Sequence, residues 1–163
     1  MTHRFGAALA LAGGLLLTTA AQADDQLARG KYLVTIMDCA GCHTPFLPEG
    51  IPDMTKALQG ANYGFELPGL GTFVPPNLTF HPTGLGGWTD AEVIAAVTKG
   101  ERPDGRILAP IMPWHSYSAL TPEDAAALVA YLRSLPQVEY EVPGPWGPSE
   151  TPTLPYLTMK LPG

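Results

Sequence analysis

The chain has 163 residues and a formal charge of −6, a length that suits one domain with extensions better than two full domains. The acidic balance argues against nucleic acid or anionic membrane as a partner, because both require a basic surface. It is compatible with docking to a positively charged patch on another protein, although acidity also serves plain solubility.

The N-terminus reads as an export signal. Arg4 gives a basic start, Ala7 to Ala21 is almost wholly apolar, and Ala21-Gln22-Ala23 has the small-x-small form that a signal peptidase cleaves. The apolar run is shorter than the roughly 20 residues a membrane-spanning helix needs, and Gly13 and Gly14 interrupt it. Cleavage is therefore expected after Ala23, which removes Arg4 and leaves the exported chain at −7. This divides the chain into a signal peptide over 1–23, a domain over 24–136 and a Pro-rich tail over 137–163.

A first helix is expected over Asp24 to Ile36, with Asp24 or Asp25 as cap and Leu27, Leu33 and Ile36 as apolar positions. From Thr44 to Gly87 the chain is dense in Gly and Pro, shows no sustained period, and offers no convincing strand alternation. It reads as a long ordered loop with short helical turns. So long a loop is unusual inside a domain unless a large group supplies the core it wraps. A second helix starts at the capping box Thr89-Asp90-Ala91-Glu92 and stops at Gly100. A third starts at Thr121-Pro122-Glu123-Asp124, carries Leu128, Val129, Tyr131, Leu132 and Leu135, and ends at Pro136. The tail is too proline-rich for a regular helix. Trp146, Tyr156, Leu157 and Met159 make it apolar enough to wrap its own domain or to dock onto a partner.

Two cysteines are present, Cys39 and Cys42. In an exported protein a disulfide would be the default, but the run Cys39-Ala40-Gly41-Cys42-His43 is the attachment pattern for haem c. Two thiols on one backbone turn can each add across one vinyl group of the porphyrin. The histidine that follows then lies under the iron and donates an axial nitrogen. A thioredoxin-like pair would need a βαβ frame, a zinc site would need further ligands, and a plain disulfide leaves His43 unexplained.

The second axial position decides what such a group does. Met112 lies between prolines in Ala109-Pro110-Ile111-Met112-Pro113-Trp114, which reads as a stiff extended segment able to hold a thioether against the iron. A Met/His pair fills both axial sites and favours electron transfer over ligand chemistry. His115, His81 and Met54 remain as alternative ligands. Met37 is too close to Cys39 to reach the opposite face, and Met159 is in the tail. Ala40, Phe46, Ile111 and Trp114 are candidates for an apolar docking patch.

The set of motifs resembles a known family. Arg29-Gly30-Lys31-Tyr32-Leu33 before Cys39-Ala-Gly-Cys-His43-Thr44-Pro45, then Pro76-Asn77-Leu78-Thr79, Gly84-Leu85-Gly86-Gly87-Trp88-Thr89, Met112-Pro113-Trp114 with Tyr117, and Leu120 through Pro136 resemble a class I monohaem cytochrome c. They are most similar to the haem domains in cytochrome c subunits of bacterial periplasmic alcohol, gluconate and sorbitol dehydrogenases. The resemblance implies an all-α class I fold, with helices and long loops wrapped around one covalent haem c. It also implies that the first and last helices cross near Gly30 and Tyr131, and that His43 and Met112 are the axial metal ligands.

The function expected on this basis is a periplasmic electron carrier with no catalytic residues of its own. Its partners would be redox proteins such as a periplasmic dehydrogenase, a terminal oxidase or another cytochrome, and membrane association would require a retained N-terminal segment. A permanent haem subunit of an oxidoreductase complex is the alternative, and an open-site haem enzyme or gas sensor is the third reading. Those dehydrogenase subunits usually string together three haem domains, whereas this chain has one attachment motif. Further expected roles are a carbonyl near Pro75 or Pro76, or else at Pro45, as acceptor for the second nitrogen of His43. Trp88, Asn77 or Arg106 are candidates to bind a haem propionate.

Overall fold

Helix α1 runs unbroken from Leu9 to Ile36, so it begins well before the expected cap at Asp24. The Ala- and Leu-rich stretch ahead of that point has high intrinsic helix propensity, which is enough to carry the helix backwards through it. The structure, a computed structural model, describes residues 9–159. Part of the expected signal segment, residues 1–8, and the last four residues lie outside the described residues. Among the described residues no helix is long and apolar enough to cross a membrane.

After α1 the chain makes a single turn of helix, α2 (Cys39–Cys42). It then enters the Gly/Pro-rich region and emerges at α3 (Asp90–Lys99), the short α4 (Trp114–Tyr117) and α5 (Pro122–Ser134). The capping box at α3 forms as its sequence implies. The Thr89 hydroxyl accepts from Glu92 N, and the Glu92 carboxylate accepts from Thr89 N at 2.7 Å. Gly100 closes α3 in the left-handed region at φ 73. Helix α5 has Thr121 as its cap, accepting from Asp124 N, with Pro122 in the first turn.

Helices α1 and α5 pack across one another. At Gly30 a Cβ would stand 2.0 Å from the Ala127 carbonyl oxygen and 2.7 Å from Tyr131 Cβ, so only hydrogen fits there. Arg29 reinforces the crossing with a paired contact to both oxygens of Asp124, at 2.7 and 2.9 Å. An exposed pair of this kind adds little; apolar burial carries the fold. Val34 of α1, Val93 of α3, and Leu128, Val129 and Leu132 of α5 form one buried cluster. Leu58, Phe80 and Leu85 of the loop region complete it.

The all-α expectation needs correction. The loop region contains a hairpin, β1 (Gly64–Leu67) and β2 (Gly71–Phe73), and the tail adds β3 (Tyr156–Leu157). Together they form a three-stranded sheet in the order β2-β1-β3, antiparallel within the hairpin and parallel between β1 and β3. The turn is made by Pro68-Gly69, with Gly69 at φ 77 and Leu70 N donating to Leu67 O at 3.0 Å. Pro followed by Gly suits a turn whose third residue needs positive φ. The strands are only two to four residues long, too short for alternation to stand out in sequence.

The tail lies along its own domain. Val138, Tyr140 and Val142 are partly buried while Glu139 and Glu141 are exposed, the two-residue period of an extended segment. Farther on, Thr72 and Trp146 exchange two backbone hydrogen bonds of 2.9 and 3.0 Å, and Gly64 N donates to Pro155 O at 2.9 Å.

Candidate functional site

Helix α2 is entered through Asp38, which sits in the left-handed region at φ 52. The tight entry puts both cysteines on one turn and leaves His43 as the residue that ends it, its N–H donating to Cys39 O at 2.9 Å. A Cβ at Gly41 would lie 2.2 Å from a carboxylate oxygen of Asp38, so a side chain there would have to turn that exposed carboxylate aside.

Two tyrosines fasten this turn from different parts of the chain. The Tyr63 hydroxyl lies against the carbonyls of Gly41 and Cys42 at 3.1 and 3.3 Å. Its ring stacks on Phe46 with centroids 4.2 Å apart. The Tyr117 hydroxyl donates to Met37 O at 2.7 Å. Burial pushes the pKa of each phenol up to about 12, so both remain hydrogen-bond donors at neutral pH. Neither clamp was legible beforehand, since a tyrosine 21 or more residues away in sequence carries no local sign of its target.

Cys39 and Cys42 are not joined to each other by a disulfide. Burial pushes Cys39 up to about 11, with the nearby Asp38 carboxylate adding to the shift. Cys42 is raised in the same direction, first by burial and then by Asp38.

His43 is buried, 7% exposed, and its Nδ1 lies 2.8 Å from the carbonyl oxygen of Pro76. A carbonyl can only accept, so Nδ1 carries the hydrogen and Nε2 keeps its lone pair. Of the three carbonyls expected from sequence, Pro76 is the partner; Pro75 O accepts from Ala61 N and Pro45 O from Asp53 N. Burial lowers the pKa of His43, against a smaller opposing effect of the Pro76 hydrogen bond.

Met112 is carried by a different piece of scaffold. After Gly100 the chain makes a short hairpin-like excursion bridged at Glu101 and Ile107, and Leu108 N returns to Gly100 O at 2.8 Å. The expected extended segment is in fact a turn. Met112 N donates to Ala109 O at 3.0 Å, and Trp114 N to Met112 O at 2.8 Å. Prolines on both sides still restrict it. The turn leads straight into α4, whose Tyr117 ties this segment to Met37, next to the cysteine turn.

Trp114 packs against Gly100, whose added Cβ would meet the indole at 2.7 Å. Its buried Nε1 has no hydrogen-bond partner, the one such side-chain atom among the described residues.

Of the alternative ligands, Met54 is 62% exposed, the His115 ring lies tilted against Trp114 with centroids 3.4 Å apart, and His81 Nδ1 pairs with Thr83 Oγ1 at 2.9 Å. Of the propionate candidates, Asn77 is fully buried and bound to the tail, its Nδ2 donating to Val138 O at 2.7 Å. Trp88 lies under the guanidinium of Arg102. Burial lowers the pKa of Arg106, with Arg102 acting in the same direction. Within the suggested docking patch Ile111 is exposed, whereas Ala40, Phe46 and Trp114 are partly buried.

These residues fit the group that the sequence implies. Two cysteines on one turn that are not joined to each other, and an imidazole with its Nε2 lone pair reserved by the Pro76 contact, suit a covalent haem, and the buried Trp114 N–H lacks an acceptor within the protein.

Comparison with known proteins agrees. The family model for cytochrome c matches residues 27–136. Among curated proteins the chain is 39% identical over 130 residues to the cytochrome c subunit of a quinone alcohol dehydrogenase from Gluconacetobacter polyoxogenes. That match covers 77% of this chain and 25% of the relative. It is 35% identical over 138 residues to a diheme c-type cytochrome of Cereibacter sphaeroides, covering 78% of this chain and 45% of that one. It is 35% identical over 126 residues to the cytochrome c subunit of gluconate 2-dehydrogenase from Pantoea cypripedii, covering 71% and 25%. The chain thus spans about a quarter of the length of the dehydrogenase subunits it matches.

Proposed function

Because the chain belongs to the cytochrome c family and so carries covalent haem c, we propose that it is a periplasmic electron carrier with a single haem held at Cys39, Cys42, His43 and Met112. When bound, haem c supplies a one-electron couple. Cys39 and Cys42 would hold it covalently through their sulfurs. His43 would bind the iron through Nε2, with its ring oriented by the hydrogen bond to the Pro76 carbonyl. Met112 would supply a thioether to the iron, leaving no site for exogenous ligands.

The observation that carries this reading is the tautomer of His43, buried directly after the Cys39–Cys42 turn. The single attachment motif in these residues supports one haem. The donor proposed is a periplasmic dehydrogenase, since several relatives are cytochrome subunits of dehydrogenases. Export rests on the signal-like segment 1–23.

Carbon monoxide tests the closed site. Added to the reduced protein at neutral pH, it is expected to leave the spectrum unchanged over seconds while a small redox mediator still oxidises the protein completely. A rapid spectral change would mark an open or easily vacated sixth position and support a haem enzyme or gas sensor instead.

A further inference from the structure

The tail is bound most closely where the chain also holds His43. Outside its own helical turn, two backbone groups bind that histidine: the Pro76 carbonyl accepts from Nδ1 at 2.8 Å, and Gly60 N donates to the His43 carbonyl at 3.0 Å. Segments 60–61 and 75–77 are joined to each other by Ala61 N donating to Pro75 O at 3.0 Å. Each is also fastened from outside by residues 138–142. Next to Pro76, the Asn77 amide donates to the carbonyls of Val138 and Tyr140 at 2.7 and 3.3 Å. Two residues on, the Thr79 hydroxyl accepts from Val138 N at 3.2 Å.

On the other segment, the Tyr140 hydroxyl donates to Ala61 O at 3.2 Å. Gly60, at φ 96, leaves space that a Cβ would contest with Val142 at 2.9 Å, Asn77 N at 3.0 Å and Tyr140 at 3.1 Å. Asn77 is 0% exposed and Thr79 2% exposed, so these contacts have no water to replace them and breaking one leaves a buried polar group unsatisfied.

We propose that residues 138–142 are a positioning strap for His43: they hold both backbone segments that bind it, and so set its hydrogen bond to the Pro76 carbonyl and the reduction potential of the site. The inference rests on His43 being the axial ligand proposed above. A hydrogen bond from the second ring nitrogen raises the basicity of a metal-bound histidine, which stabilises the oxidised metal. Loosening the strap weakens that bond and favours the reduced form. Val138, Tyr140 and Thr79 are positioning residues here, acting through the backbone and not on the haem itself.

The test compares the midpoint potential of the full-length haem protein as wild type, Thr79→Val, Thr79→Ser, the double variant Thr79→Val with Tyr140→Phe, and Tyr156→Ala. Thr79→Val keeps the shape and removes the hydroxyl, while Thr79→Ser keeps the hydroxyl. Tyr156→Ala disturbs the tail at β3, beyond the strap. The double variant is expected to shift the electron-exchange equilibrium with a mediator toward the reduced protein about threefold or more, where tenfold is about 59 mV for one electron. Thr79→Val should give part of that shift, and Thr79→Ser and Tyr156→Ala should match the wild type.

Strap variants that lose stability in urea while keeping the wild-type potential would overturn the strap. The wild-type spectrum separates this from a failure of the parent reading. A wild type without low-spin, covalently bound haem overturns the ligation and the strap together, whereas low-spin spectra with an unmoved potential overturn the strap alone.

Discussion

Gly30→Leu is expected to lower the thermal midpoint by about 10 °C or more, about 3 kcal/mol of lost stability for a chain of this size. The space at Gly30 is closed by backbone: a Cβ there meets the carbonyl oxygen of Ala127 at 2.0 Å and its carbon at 2.7 Å. A flexible side chain could swing aside, but a helix carbonyl cannot without moving α5 as a body. That movement would separate Val34 of α1 from the cluster it shares with Leu128, Val129 and Leu132. The sign is diagnostic even for Gly30→Ala. In an exposed helix a glycine-to-alanine change stabilises by roughly 0.5–1 kcal/mol, so a clear loss here can only come from the crossing. Thermal unfolding followed by far-ultraviolet circular dichroism measures both variants. A Gly30→Leu midpoint within about 2 °C of the wild type would contradict a close approach of the two helices at this residue.

The helices that position the site were legible because their signals are local. Thr89 to Glu92 and Thr121 to Asp124 are reciprocal contacts within one turn, and Gly100 supplies the left-handed stop. The cysteine turn was legible for the same reason: its chemistry lies in five consecutive residues. The sheet was not. Its strands are short, and β3 joins β1 from about 90 residues away in sequence. Pro68-Gly69 was the available sign of the hairpin. The alternation Val138-Glu-Tyr-Glu-Val142 was likewise available as a sign of an extended, half-buried segment.

Asn77 shows a different limit. Its side chain suits a propionate ligand or a structural tie equally well, and only the tertiary placement of Val138 and Tyr140 decides which acceptors its amide reaches. The prolines flanking Met112 fixed the stiffness of the segment but not its form. An extended run and the turn from Ala109 to Met112 both accommodate the restricted φ of proline.

Met112→Ala has the largest expected functional effect. Under the proposed ligation the thioether stabilises the reduced metal and a Met/His pair raises the potential. Alanine has no donor atom, so a weaker or exogenous ligand takes the place of sulfur. The midpoint potential is expected to fall by more than about 59 mV, over tenfold in the electron-exchange equilibrium, and the reduced variant should bind carbon monoxide where the wild type does not. The fold should persist, because Met112 is not among the buried residues of the core and Tyr117 still ties α4 to Met37. Retained helical circular dichroism with a lowered potential would separate ligand loss from unfolding. An unchanged potential would place the sixth ligand elsewhere, with His115 the nearest alternative in the chain.

The far-red absorption of the oxidised wild-type protein, recorded beside Met112→Ala, tests the proposed His43/Met112 ligation most directly. A weak sulfur-to-iron band in the wild type that disappears in the variant is the predicted result. A wild-type spectrum already lacking that band would contradict Met112 as ligand, and with it the closed iron on which the electron-carrier reading depends.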